Sequence, residues 1–220
     1  MKLYSSPTSS SSYRVRIALH LKGLAFETVP VNLRAGEQHR DAYRRVNPQA
    51  RVPALELDDG TVITQSLAII DYLELAHPEP PLMPGDAIER ARALAVALAI
   101  ACDIQPLNNT GVLAHLSDSL GHDQTAIDAW YAHWVRTGFA AVETLIGAER
   151  YCFGAEPTIA DICLVPQAFN ARRFNVDISD FAKILAVDAV ATAHPAFAAA
   201  RPEVQPGFVA TKPQPPSPKI

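Results

Sequence analysis

Pro78, Pro80, Pro81 and Pro84, followed by Gly85, form a stretch that no regular helix or strand crosses, because proline fixes φ and has no backbone N–H. The chain reads differently on its two sides. Before the break, short β-like runs alternate with helix-like segments; after it come long Ala-rich stretches with almost no strand signal. This predicts two domains, 1–78 and 86–208, joined by a linker over 79–85. The tail, 209–220, carries Pro213, Pro215, Pro216 and Pro218 and is expected to be disordered. At 220 residues and 49% hydrophobic, the chain is long enough to bury a substantial core and to divide into two small domains.

In the first domain, strands are predicted over Lys2 to Ser5, Phe26 to Val31, Ala54 to Leu57 and Thr61 to Ile63, the last two joined by a turn at Asp58-Asp59-Gly60. Tyr13 to Leu21 alternates apolar and polar residues as a strand would, yet serines precede it as caps and Gly23 follows as a stop, so it reads as a helix. Helices around Gln38 to Val46 and Gln65 to Ala76 complete the order β-α-β-α-β-β-α, which resembles a thioredoxin-like α/β unit. The second domain is expected to be all-α, with helices over Ala87 to Ser117, Gln124 to Gly147, Ile159 to Phe174 and Phe181 to Ala191, and a short one after Pro195. Thr158-Ile159-Ala160-Asp161 reads as a capping-box start, and Trp130, Trp134 and Phe139 as core residues at helical spacing.

A net charge of −4 supplies no sequence-wide basic field for nucleic acid or anionic lipid, so neither is an expected partner. The longest wholly apolar run, Ala93 to Cys102, is half the roughly 20 residues of a spanning helix. With no secretory leader and three widely spaced cysteines, Cys102, Cys152 and Cys163, the sequence reads as cytoplasmic and free of a disulfide framework. The seven histidines show no ligand spacing, and no metal site is expected.

Three local features can carry chemistry. Ser9-Ser10-Ser11-Ser12 lies between a predicted strand and a predicted helix, where unpaired N–H groups and the positive helix pole stabilise an anion such as a thiolate. Plain capping explains the same serines. Val52-Pro53 stands at the threshold of a strand: if cis, it would let the Val52 backbone pair with an extended peptide, while an ordinary trans strand start is the alternative. Gln65-Ser66 precedes an apolar helix, where Ser66 would cap and the pair would hold a carboxylate.

Taken in order, Ser9-Ser10-Ser11-Ser12-Tyr13-Arg14-Val15-Arg16-Ile17-Ala18-Leu19, Asn47-Pro48 with Val52-Pro53, and Gln65-Ser66-Leu67-Ala68-Ile69-Ile70 resemble the zeta-class glutathione transferases and maleylacetoacetate or maleylpyruvate isomerases. The likeness continues through Ile104-Gln105-Pro106-Leu107-Asn108-Asn109, Leu164-Val165-Pro166-Gln167 and Ala171-Arg172-Arg173-Phe174, nearly the whole chain. The resemblance implies a homodimeric glutathione transferase fold, with glutathione as cofactor in the first domain and a small-molecule dicarboxylate or electrophile bound between domains. It implies that Ser9 hydrogen-bonds the glutathione sulfur with Ser10 and Ser11 beside it. Val52, ahead of Pro53, would pair with the cysteinyl backbone, and Gln65 and Ser66 would hold the γ-glutamyl carboxylate. Gln38, Gln105 and Asn109 would line the glutathione or substrate pocket, and Arg173 would take a substrate carboxylate through its planar fork.

The implied reaction is cis–trans isomerisation of a maleyl diketo acid by thiolate addition, rotation and elimination. Alternatives are a zeta-type transferase conjugating or hydrolytically dehalogenating small haloacids, and a non-catalytic transferase-like scaffold. Three departures bear on the choice. Thr8 and Thr110-Gly111 stand where some relatives carry arginine, removing two anion contacts, and Ser11 replaces the cysteine of the Ser-Ser-Cys signature. A serine cannot form the mixed disulfide that reductive dehalogenation requires.

Overall fold

A computed structural model describes residues 1–147 and 149–209; the expected disordered tail lies outside the described residues except for Val209. The chain divides into two compact units, the first comprising Met1–Leu82 with residues 192–209, the second Met83–Ala191.

The first unit is built on a four-stranded mixed sheet of order β2-β1-β3-β4, with β1 Lys2–Ser5, β2 Glu27–Pro30, β3 Ala54–Glu56 and β4 Val62–Thr64. β1 runs parallel to β2 (Leu3 opposite Thr28) and antiparallel to β3 (Leu3 opposite Leu55), and β3 pairs antiparallel with β4 (Leu55 opposite Ile63). Leu3 and Leu55 are wholly buried. Helix α1, Ser10–Leu21, connects the parallel pair, and α3, Ser66–Ala76, follows the hairpin. Every residue from Tyr13 to Leu19 is at most 2% exposed. A helix covered on all sides has no solvent face, and so the strand-like alternation in this segment was not a 3.6-residue stripe. The predicted helix over Gln38 to Val46 is instead a 3₁₀ turn, Glu37–His39, followed by the single-turn helix α2, Asp41–Arg44.

The linker is anchored by Lys22, whose buried ammonium donates to Glu74 Oε2 at 2.7 Å, the Pro78 carbonyl at 3.3 Å and the Pro80 carbonyl at 2.7 Å. The short helix α9, Pro195–Ala200, packs on α1. The sequence instead predicts that stretch within the helical domain, 86–208. Its affinity for α1 comes from the buried Phe197 and Ala200 and from a hydrogen bond between Arg16 Nε and the Ala200 carbonyl, 184 residues apart.

In the second unit, α4 (Ala87–Leu98) packs against α7 (Ile159–Arg173), whose residues Ile159 to Ala168 are all buried; α6 runs over Gln124–Leu145 and α8 over Ala182–Ala193. The capping box is present: Thr158 Oγ1 accepts from Ala160 N, and the buried Asp161 accepts from the Thr158 and Cys152 N–H groups at 2.7 and 2.8 Å. The single helix predicted over Ala87 to Ser117 is broken. After α4 the chain widens into a π turn, Ala99–Ile104, then passes through a 3₁₀ turn, Pro106–Asn108, α5, Thr110–Ala114, and a second π turn, His115–Ser119. Pro106 has no N–H to continue the ladder, and Asn109 restarts it by capping α5 through its side-chain oxygen, 3.1 Å from Gly111 N. The core stripe of α6 is Ile127, Tyr131, Val135, Phe139 and Val142. Phe139 is core as expected, whereas Trp130 and Trp134 sit one position off that stripe and are only half-buried. No helix among the described residues is long and apolar enough to cross a membrane.

Candidate active site

β1 ends at Ser5, and Ser6 to Thr8 turn the chain into α1. Ser9 is the N-cap: its backbone is extended (φ −73°, ψ 118°) and its Oγ accepts from Ser12 N at 3.2 Å. Ser12 Oγ accepts in turn from Ser6 N at 3.4 Å, closing the turn on itself. The serines thus divide by position. Ser10 and Ser12 are buried, while Ser9 and Ser11 are half-exposed at the helix start and open to a ligand. The Ser9 oxygen is engaged by the helix, and among the described residues its hydroxyl donates to no protein acceptor, at a helix start whose unpaired N–H groups and dipole favour negative charge.

Two arginines, Arg14 and Arg16, are 1% and 0% exposed beneath this turn. Arg16 Nη1 donates to Ser5 Oγ at 2.9 Å and the Ser6 carbonyl at 3.3 Å, and Nη2 donates to the Pro7 carbonyl at 3.0 Å. Burial pulls its pKa down to about 10, which leaves it charged at neutral pH, and the same burial, with Arg16 as a lesser cause, lowers that of His20. Arg14 Nη1 donates to Ser66 Oγ at 3.4 Å. Local sequence signals assign neither arginine a role. The available signal was two charges inside an otherwise apolar helix between Tyr13 and Leu19.

The approach to β3 is held by the Arg51 carbonyl, which accepts from Tyr43 Oη and Asn47 Nδ2, both at 2.6 Å. Burial pushes the Tyr43 phenol up to about 12, so it stays a donor. Val52-Pro53 is cis, and Val52 is half-buried. Among the described residues no hydrogen bond engages the Val52 N–H or C=O. That pair is free to add an extended peptide in the manner of a strand, and the residues present therefore fit a peptide cofactor.

Gln65 is exposed, at φ 68°, a conformation costly for a residue with a side chain and characteristic of ligand-contacting turns. Its Nε2 donates to Gln49 Oε1 at 2.8 Å, a partner the sequence reading missed. Ser66 does not cap α3, contrary to expectation. Gln65 occupies the N-cap without a side-chain bond, and Ser66, the first helical residue and 6% exposed, turns its hydroxyl to Arg14 instead. Gln38 is half-buried, with Nε2 folded back onto the Leu33 carbonyl at 3.4 Å.

The remaining candidates belong to the second unit. Gln105 ends the π turn, its N–H bonded to the Ile100 carbonyl at 3.0 Å, and the Asn109 side chain is the α5 cap described above. Arg173 is half-buried on the last turn of α7, with its guanidinium 5.4 Å from the Phe174 ring centre and Nη1 3.5 Å from Asn170 Oδ1. Arg172 is exposed and pairs with Asp188 at 2.8 Å. No group of three metal-binding side chains occurs among the described residues.

Residues 3–81 match the model of the glutathione S-transferase N-terminal domain, and residues 124–200 that of the glutathione S-transferase C-terminal domain. The chain is 50% identical to the maleylacetoacetate isomerase of Pseudomonas aeruginosa over 94% of its own length and 98% of that protein's. Among solved structures, it is similar to the holo form of a maleylpyruvate isomerase described as a bacterial zeta-class glutathione S-transferase (TM-score 0.92, 44% identity, 95% and 100% coverage). It is equally similar in fold to a maleylacetoacetate isomerase of Methylobacterium extorquens AM1 with bound malonate and glutathione (TM-score 0.92, 36% identity, 96% and 100% coverage). Both domain models, the near full-length identity and the shared fold agree with the serine turn, the Val52-Pro53 approach and the Gln65 corner: the chain belongs to the glutathione S-transferase family, in its zeta-class branch.

Proposed function

We propose that the protein is a glutathione-dependent cis–trans isomerase of a maleyl diketo acid, maleylacetoacetate or maleylpyruvate. The observation that carries this reading is the Ser9 turn, where an N-cap hydroxyl with its acceptor side engaged stands over a buried cation at the start of α1. Near full-length similarity to isomerases of both substrates supports the reaction class.

When bound, glutathione supplies the thiolate that adds to the activated double bond and leaves again after rotation, so that it is not consumed. Ser9 donates its hydroxyl hydrogen to the sulfur and holds it ionised, with the N–H groups at the start of α1 adding to the field; Ser10 and Ser11 flank it. Val52, ahead of Pro53, pairs its N–H and C=O with the peptide backbone and orients the cofactor. Gln65 and Ser66 take the γ-glutamyl end, with Arg14 behind Ser66 adding positive charge. Gln38, Gln105 and Asn109 serve as polar lining. Arg173 receives a substrate carboxylate through two N–H donors, since a guanidinium matches that geometry where a lysine offers a point charge. Thr8 and Thr110 offer no charge where some relatives have arginine, and so Arg173 carries more of the anion recognition.

The reading further includes a homodimer, measurable by sedimentation, and a cytoplasmic location, measurable by fractionation. The deciding experiment follows the diketo absorbance of maleylpyruvate and maleylacetoacetate at substoichiometric glutathione. Complete conversion with the thiol pool intact is expected. Consumption of one thiol per substrate, or turnover of haloacids alone, would establish the conjugating or dehalogenating reading instead.

A further inference from the structure

Arg16 is a cation enclosed in the first unit without an anion to balance it. It is 0% exposed, and its four hydrogen bonds end on neutral oxygens: Ser5 Oγ and the carbonyls of Ser6, Pro7 and Ala200. Among the described residues no carboxylate pairs with it. Enclosed charges ordinarily recruit a counter-ion, because removing them from water costs several kcal/mol (roughly, in relaxed proteins) that neutral dipoles only partly return. The other ionisable groups around α1 do not supply one. Arg14 and His20 lie on the helix itself, the Tyr13 ring centre is 5.3 Å from the guanidinium, and Glu74 of α3 is already paired with Lys22. Helix α9 has the sequence Pro-Ala-Phe-Ala-Ala-Ala and carries no charge.

Three of the four bonds go to Ser5, Ser6 and Pro7, the loop that delivers Ser9 to the head of α1. We infer that Arg16 is a positioning residue for the thiolate: it pins the Ser5–Pro7 loop and the end of α9 around the helix start, and the counter-charge it lacks is the ionised sulfur of bound glutathione. This rests on the function proposed above. The guanidinium fork reaches the separate acceptors of the loop and α9, whereas the effect on the sulfur comes from the charge, which a lysine at this position would also carry.

The test is the thiol pKa of bound glutathione, read from thiolate absorbance against pH in R16Q, R16K and S5A, with Tm measured alongside. At an effective dielectric constant of ~20, a full charge displaces a pKa by about one unit across a separation of ~10 Å. The bound thiol in R16Q is therefore expected to titrate about one unit higher than in wild type, with kcat/KM near neutrality falling by up to about tenfold. R16K, which keeps the charge, is expected to stay within a few tenths of wild type. S5A, which loses one loop bond and no charge, is expected to lower Tm without moving the titration. Equal, depressed values in wild type and R16Q would overturn this inference alone, leaving Arg16 a structural clamp. A wild type that leaves the bound thiol at its free-solution value would remove the proposed function and this inference together. Should R16Q not fold, Ser5→Asp decides: it sets a carboxylate against the intact guanidinium, and a raised thiol pKa supports the inference while an unchanged one overturns it.

Discussion

Replacing Ser9 by alanine separates two roles of one hydroxyl. As the cap of α1 its oxygen accepts from Ser12 N at 3.2 Å. Losing a serine cap costs about 1 kcal/mol, which in a chain of this length lowers Tm by about 2–4 °C. As a donor, the same hydroxyl supplies its hydrogen to the glutathione sulfur, and a hydrogen bond to a charged group contributes about 1.5–3 kcal/mol. At about 1.4 kcal/mol per decade, that predicts a roughly 10- to 150-fold loss of kcat/KM and a bound thiol titrating about 1–2 units higher. Because the bond is strongest to the ionised sulfur, kcat is expected to fall more than glutathione affinity. Steady-state isomerisation, calorimetric glutathione binding and thiolate absorbance measure the three quantities on one preparation. Ser9→Thr keeps the hydroxyl and should recover the cap and most of the activity. An alanine variant with the expected Tm loss but kcat/KM within about threefold of wild type and an unmoved thiol would refute the donor role and leave Ser9 a plain cap.

Arg173→Ala should raise KM for the diketo acid roughly 10- to 150-fold with little change in kcat, as for a lost charge-assisted contact made alike in ground and transition states; an unchanged KM would return Arg173 to packing against Phe174. Lys22→Met should cost about 3 kcal/mol, because it leaves the Glu74 carboxylate without its cation, read as a lower urea midpoint at constant m-value. Little or no loss would show that the ammonium does not anchor the linker. A Cβ at Gly138 would overlap Ile104 Cγ1 and Cδ1, so Gly138→Ala should cost about 1–3 kcal/mol and be partly relieved, non-additively, by Ile104→Val. Strict additivity would mean that the two do not meet. The folded-state pKa of His20 is lowered by burial and by Arg16. The unfolded chain thus binds its proton first, and stability should fall as pH drops below the ordinary 6.5 toward the depressed folded value. His20→Gln should flatten that slope in denaturation series between about pH 5 and 7, and an identical slope would assign it to another group.

Ser9 was readable as a candidate because its signals are local: a strand ending at Ser5, hydroxyls at the next helix start and Gly23 as a stop all act within a few residues. The same holds for the hairpin turn at Gly60 and for the Thr158–Asp161 capping box. Where the reading failed, the deciding partner lay elsewhere in the chain or one step along a helix. Ser66 has the right residue type for a cap, but the backbone of Gln65 takes the capping position and the Ser66 hydroxyl answers to Arg14, 52 residues away. The Ala-rich run after Ala87 has helical propensity throughout, yet Pro106 and the close packing of Ile104 against Gly138 accompany its breakage into π and 3₁₀ turns. Trp130 and Trp134 share a helical spacing with one another, although the face turned inward is the one carrying Tyr131 and Val135.

By itself the sequence determined the order of strands and helices in the first unit, the long helices α6 and α7, and which hydroxyls stand at the head of α1. Only the tertiary structure decided that Arg14 and Arg16 would be interior cations and that α9 would return to α1 to meet one of them. Backbone preference and capping are settled by neighbours a few residues apart. What a buried charge bonds to is settled by whichever carbonyls the packed fold brings within 3 Å or so, and for Arg16 one of these belongs to Ala200, 184 positions along the chain.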